Sequence, residues 1–185
     1  GTMQGTALAN LIMGKVAPSG RLPMTFPMGE GQIPFYYNYK MPSRLMAKSP
    51  KLINDIPVRA YQFSIGETSY WLEYGNKPLY PFGYGLTYTT FEYGAVQLSD
   101  TILSISGKPQ SIIASCEITN TGHCDAVAIP QLYIRDVVGT LTRPLRELKG
   151  FQRVNIPAGE TRTVSFEISE QDLAYWHLAD GVTLG

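Results

Sequence analysis

The sequence predicts a mainly β protein: a β-sandwich preceded by a helix and strand and then a long irregular connector. Three observations carry this. From residue 86 onward, short runs of alternating apolar and polar side chains recur between turn signals spaced roughly 8–12 residues apart, as in a two-sheet sandwich. Residues 28–77 show no sustained period, and residues 5–13 show a helical one.

In chain order, "GTALANLIM" (5–13) places Ala7, Leu8, Leu11 and Ile12 on one helical face, with Gly14 where a left-handed C-terminal cap is wanted. "APSG" is turn chemistry. "RLPMTF" (21–26) then alternates Leu22, Met24 and Phe26 against Arg21, Pro23 and Thr25, as a strand with one buried face does; Pro23 makes it an edge. One helix and one strand bury each other's apolar faces poorly, so this segment reads as the end of something larger.

Residues 28–77 carry prolines at 34, 42, 50 and 57 and tyrosines at 36, 37, 39, 61, 70 and 74. Fifty irregular residues exceed ordinary connections inside a domain, and tyrosines at this density imply wrapping over a partner surface. The segment 78–94, "PLYPFGYGLTYTTFEYG", is read as architecture rather than a sugar platform: Pro81, Gly83 and Gly85 shape a turn, and Tyr80, Phe82, Tyr84 and Phe91 pack a seam between connector and sheet.

The strands follow. "TTFEYGAVQL" alternates through Phe91, Tyr93 and Val96, and "SIIASCEIT" sets Ile112, Ala114, Cys116 and Ile118 on one face. "AVAIPQLYIRD" carries Val127 and Ile129, then Pro130, then Leu132 and Ile134, and is read as one strand with a phase change or an edge near the proline. After a "TRP" turn (142–144) come "ELKGFQRVNI" and, past the "PAGE" turn, a strand alternating Arg162, Val164, Phe166 and Ile168 with polar residues. Ser169 and Asp172 have the spacing of a helix cap before Trp176.

Composition narrows function. The 185 residues are 44% hydrophobic and 16% charged, enough for a core, and fifteen basic residues balance fifteen acidic ones. That balance removes the positive field a nucleic-acid binder uses. No apolar run reaches the roughly 18 residues of a membrane span. Neither a nucleic-acid nor a membrane partner is expected. Cys116 and Cys124 are too few for a disulfide scaffold and are read as one buried and one loop thiol; no metal-ligand spacing and no cofactor motif is present.

No catalytic constellation emerges. "GYGLTY" has two of the three glycines of a dinucleotide loop but Tyr88 in place of the third, and it follows no apolar strand. There is no nucleophile elbow. Glycoside hydrolysis needs two carboxyl groups flanking one bond, whereas Glu160, Glu167, Asp125 and Asp180 read as solvated charges in strands and turns. His123 and His177 are isolated. No catalytic, cofactor or metal residue is assigned.

"PSGRLPMTFP", "GQIPFYYN", "PLYPFGYGLTYTTFEY", "ITNTGHCDAVAIPQLYIRD", "TRPLRELKGFQRVNIPAGETRTVSFEI" and "DLAYW" together resemble the C-terminal part of glycoside hydrolase family 3 β-glucosidases, over nearly the whole chain. The resemblance implies a remnant of an α/β sandwich domain at 1–27, a connector at 28–77 and a fibronectin type III-like (immunoglobulin-like) sandwich at 78–185. It implies that the nucleophilic aspartate and the acid/base glutamate lie upstream, so neither role transfers to a residue here, and that the upstream catalytic domains are the partners. Bacterial members of the family are often exported, to the periplasm or beyond the cell. Ala126 departs from a frequent glycine and Pro130 from a usual β-branched residue. The chain also stops at "DGVTLG", so the sandwich is expected to lack its last strand and to expose a sheet edge open to self-association.

The expected function is a noncatalytic, stabilising C-terminal portion of a β-glucosidase-like hydrolase. Two alternatives stand beside it: a carbohydrate-binding module that uses tyrosines of "FYYNY" and "YWLEY", with Tyr36, Tyr37 and Trp71 as sugar contacts, and an edge-to-edge protein-interaction module.

Overall fold

The computed structural model describes residues 1–41, 45–61, 68–104 and 110–175. Trp176, His177, Asp180 and the segment expected to leave the sandwich a strand short lie outside them. In chain order the elements are α1 (Gln4–Ile12), β1 (Leu45–Met46), β2 (Thr68–Ser69), β3 (Phe91–Tyr93), β4 (Gln97–Leu98), β5 (Ser111–Asn120), β6 (Ala126–Ala128), β7 (Gln131–Ile134), β8 (Glu147–Phe151), β9 (Val154–Ile156), β10 (Thr161–Ser169) and α2 (Glu170–Leu173). Contacts divide the chain into two units, one of Gly1–Arg21, Gly85–Ile134 and Leu148–Gly185, the other of Leu22–Tyr84 and Arg135–Glu147.

The first unit holds the β-sandwich. Its spine is β5, paired antiparallel with β10 from Thr161↔Thr119 to Ser169↔Ser111. The other edge of β5 takes β3 and then β4, and between them Gly94 N–H still bonds the Glu117 carbonyl at 2.9 Å. The remaining ladders are β6 with β9 and β7 with β8. Ile118, Ala128, Ile156 and Val164 meet in the core, so side chains from β5 and β10 pack on β6 and β9, with Phe91, Cys116, Val154 and Phe166 around them. Burying Ile118 and Ile156 completely is worth about 1.5–3 kcal/mol each.

The alternation on β5 falls as expected, with Ala114 and Ile118 buried and Ile112 and Cys116 half-buried. On β10, Val164 is buried while Phe166 and Ile168 are half-buried. The α2 cap also forms: Asp172 Oδ2 accepts both the Ser169 N–H and its hydroxyl at 2.8 Å.

Several expectations need correction. On β6 the buried side chains are Ala126 and Ala128, with Val127 only half-buried. The register with β9, Ala126↔Ile156 and Ala128↔Val154, turns the alanines inward, and Ile118 and Ile156 supply the volume there. Nor is "AVAIPQLYIRD" one strand: the break falls at buried Ile129 and Pro130, which separate β6 from β7, and each strand pairs with a different partner.

Helix α1 forms as expected, with Gly14 at φ +68° just beyond its C-terminal end, and its apolar face is left uncovered: none of its residues is buried and Ile12 is 71% exposed. Periodicity reports amphipathicity, not what covers the apolar face. The "RLPMTF" run forms no strand; it makes one bridge, Phe26↔Tyr80, and buries Thr25 while Met24 and Phe26 stay exposed. Its partner is a turn rather than a sheet, with Leu22 N–H on Tyr84 O and Gly83 N–H on Leu22 O, both 2.8 Å. Finally, Cys116 is half-buried like Cys124, because it faces the break between β3 and β4, where its Sγ lies 3.2 Å from Gly94 O; both thiols are free.

The second unit is held differently. Among the described residues, Ala47 is its one buried hydrophobic side chain, beside buried Thr25 and Gln32. Side-chain amides take the place of an apolar core. Gln32 accepts the Met28 N–H at 2.7 Å and donates to the Lys77 carbonyl at 3.1 Å, and Asn76 donates to the Ala47 carbonyl at 2.6 Å. Each amide satisfies backbone groups that an irregular chain cannot satisfy with a ladder. Ring pairs add to this: Tyr80 stacks on Tyr84 at 5.0 Å, around Gly83 with φ +78°, and Phe82 stacks on Tyr37 at 4.1 Å. Phe91 belongs instead to the sandwich core.

Candidate functional site

Segment 35–41 and loop 135–145 form the region with the most chemistry, and it lies wholly within the second unit. Tyr36 projects a ring 65% exposed. Tyr37 commits one face to Phe82 at an interplanar angle of 18°, and its carbonyl accepts a bond from Arg146 Nε at 3.4 Å. Trp71 commits one face to Phe35, centroids 5.3 Å apart, and Phe35 in turn meets Tyr39 edge-on. Two of the three predicted sugar contacts therefore spend aromatic surface inside the protein.

The loop is pinned to that segment by its far end. Leu145 N–H bonds the Tyr39 carbonyl at 3.0 Å, and Lys40 bridges Pro144. Loop 135–145, with Met41, lines an open hollow of about 420 Å³. Its charged groups are ordered: Asp136 Oδ1 accepts the Val138 N–H at 3.2 Å, its Oδ2 lies 3.8 Å from Arg143 Nε, and Arg143 Nη2 donates to Glu147 Oε2 at 3.1 Å. Arg143 is only 15% exposed, so its guanidinium is held rather than waving in solvent. Sequence reading passed over this loop, treating "TRP" as a plain turn. The Arg143 and Glu147 spacing was the one local signal, and it is weak outside a helix.

Several other carboxylates make turns and ion pairs. Asp125 accepts the Ala158 N–H at 2.9 Å, Asp55 the Leu52 N–H at 3.2 Å, and Asp100 the amides of Thr101 and Ile102; Glu160 pairs with Arg162 at 2.5 Å. His123 is exposed. Among the described residues no group of three or more His, Cys, Asp or Glu side chains could hold a metal ion, and no helix is long and apolar enough to cross a membrane. In the first unit, burial raises the Tyr93 phenol above its ordinary value, with Arg21 pulling it down and Cys116 adding to the rise.

Comparison with known proteins places these observations. Residues 1–88 match the glycosyl hydrolase family 3 C-terminal domain, and residues 128–183 match the fibronectin type III-like domain. The chain is 39% identical over 177 residues to the periplasmic beta-glucosidase of Salmonella typhimurium, covering 96% of this chain and 21% of that protein. It is 37% identical over 173 residues to a beta-xylosidase of Formosa agariphila, covering 94% of this chain and 21% of that one. The solved beta-glucosidase of Listeria innocua in complex with glucose superposes with a TM-score of 0.78 at 31% identity, covering 98% of this chain and 23% of that one. The chain thus spans about a fifth of the length of the relatives it matches.

Proposed function

Because the chain belongs to glycoside hydrolase family 3, whose C-terminal region it represents, we propose that it is the noncatalytic, stabilising C-terminal portion of a β-glucosidase-like glycosidase. One observation carries this proposal: the chain matches its glycosidase relatives along 94–96% of its own length but along only 21% of theirs. The local chemistry supports it. Asp55, Asp100, Asp125, Asp136, Asp172, Glu147 and Glu160 are each engaged by a backbone amide, a hydroxyl or a cation, which is the work of turns and caps rather than of an acid and nucleophile pair. In the intact enzyme the upstream catalytic domains are its partners. The division into an α/β remnant at 1–27, a connector at 28–77 and a sandwich at 78–185 belongs to the same proposal.

The test is hydrolysis of aryl β-glucosides and β-xylosides by the purified chain, alone and after co-expression with the missing catalytic domains. No turnover alone and turnover on reassembly are expected. Turnover by the chain alone that copurifies with it through successive columns refutes the proposal.

A second reading, carbohydrate contact by Tyr36, Tyr37 and Trp71, is favoured by the exposed Tyr36 ring. It requires Tyr36→Ala to abolish calorimetric binding of oligosaccharides. Edge-to-edge self-association is the remaining alternative, and light scattering that finds only monomer at high concentration removes it.

A further inference from the structure

We propose that the hollow of loop 135–145 binds one neutral pyranose unit, with Asp136 and Arg143 taking a pair of adjacent hydroxyl groups. The inference rests on the glycosidase reading for the ligand class and on the loop itself for the site.

The hollow, about 420 Å³, falls within the roughly 300–1,000 Å³ of small-molecule sites. The chemistry of its wall selects among ligands. Asp136 offers only acceptors and Arg143 only donors, 3.8 Å apart, and the Thr142 hydroxyl offers both. A vicinal diol matches this set, because each hydroxyl can donate to the carboxylate or accept from the guanidinium. A phosphate would face the Asp136 carboxylate, and an ammonium would face Arg135 and Arg143. The apolar part of the wall, Val137, Val138 and Leu141, suits the C–H face of a sugar ring; Val137 and Val138 are 78% and 90% exposed.

The polar groups are preorganised. Glu147 fixes the guanidinium, the Val138 N–H fixes one oxygen of Asp136, and Tyr39 ties down the end of the loop. Gly139 lets the bend approach Asp136 closely: a Cβ there would lie 2.9 Å from Asp136 Oδ2 and 3.3 Å from the Leu141 carbonyl and would push on the carboxylate.

The experiment is a titration of the isotopically labelled full chain, followed by two-dimensional NMR. The probes are methyl β-D-glucoside and methyl β-D-xyloside, with glucose 6-phosphate and inorganic phosphate as charged comparisons. Either glycoside is expected to shift the amides of Val138, Gly139 and Thr142 with millimolar affinity. Asp136→Ala is expected to weaken binding about tenfold. Thr142→Val, which leaves the Asp136 and Arg143 pair in place, should weaken it severalfold without moving resonances outside the loop. Silence of the loop at saturating glycoside, an equal or stronger response to inorganic phosphate, or unchanged affinity in both variants overturns the proposal. The two readings fail separately: aryl glycoside turnover by this chain refutes the noncatalytic assignment and leaves loop binding standing, whereas a silent loop without turnover refutes only the subsite.

Discussion

Replacing Asn120 tests how the sandwich is held together. Asn120 is fully buried at the end of β5, and each polar atom of its amide is used. Nδ2 donates to the carbonyls of Cys124 at 2.9 Å and Ile156 at 2.8 Å, while Oδ1 accepts from the Thr89 hydroxyl at 2.5 Å and the Gly122 N–H at 3.2 Å. Carbonyls only accept, so the amide orientation is fixed by its partners. The side chain therefore joins the start of β3, the turn before β6 and the end of β9.

Asn120→Ala strands the buried Ile156 carbonyl, at about 1–3 kcal/mol, and removes three further bonds worth about 2 kcal/mol together, since water can partly replace them. The expected loss is about 3–5 kcal/mol, a large share of the 5–15 kcal/mol typical of a domain. At about 4–8 °C per kcal/mol for a domain of this size, the melting temperature falls by more than about 12 °C. Asn120→Asp keeps the shape but points acceptors at two carbonyls, so at neutral pH it should cost at least as much as Asn120→Ala. Its cost should shrink on acidification, when a protonated carboxyl can again donate. The assay is thermal and urea unfolding followed by circular dichroism, with Thr90→Ala as a surface control that loses one exposed bond to Thr121 and costs under about 1 kcal/mol. An Asn120→Ala loss no larger than that of Thr90→Ala refutes the reasoning.

Three further outcomes are expected. Ile118→Ala opens a cavity between β5 and β9 and costs about 2–5 kcal/mol by urea unfolding, whereas Ile113→Ala, on the exposed face of the same strand, costs under about 1 kcal/mol. Gln32→Ala removes the bonds to Met28 and Lys77, so limited proteolysis read by mass spectrometry should find faster cleavage within 28–77 while hydrogen exchange in β5 stays unchanged. The raised folded-state value of Tyr93 means that its contribution to stability is complete below its ordinary value of 10.0 and is lost as pH rises through the folded value; Tyr93→Phe should remove that alkaline loss and delete a late-titrating phenol from the absorbance titration at 295 nm.

Much of the sandwich was legible because strand patterns are short-range. The alternations on β5 and β10 needed only a period of two and the turns that bound them, and the Ser169 and Asp172 cap needed only a spacing of three. The same reasoning failed at Ala126 and Ala128, where hydrophobicity favoured Val127 but pairing with β9 decided which side faced the core. It failed at "RLPMTF" because alternation cannot say whether a sheet exists to receive a strand. The hollow of loop 135–145 was illegible for a related reason: Asp136, Arg143 and Glu147 look like ordinary surface charges until the chain curls them toward one another.

The sequence by itself determined the class of the protein: a mainly β chain with neutral charge balance, carrying ordered motifs that resemble the C-terminal part of glycoside hydrolase family 3. Periodicity, turn chemistry and composition are local, and they survive in any environment the chain meets. Only the tertiary structure decided how residues 28–77 are held, by the amides of Gln32 and Asn76 and by stacked rings instead of an apolar core. Hydrogen bonds spanning 29 to 45 residues leave no periodic trace, since their partners are backbone carbonyls that every residue carries.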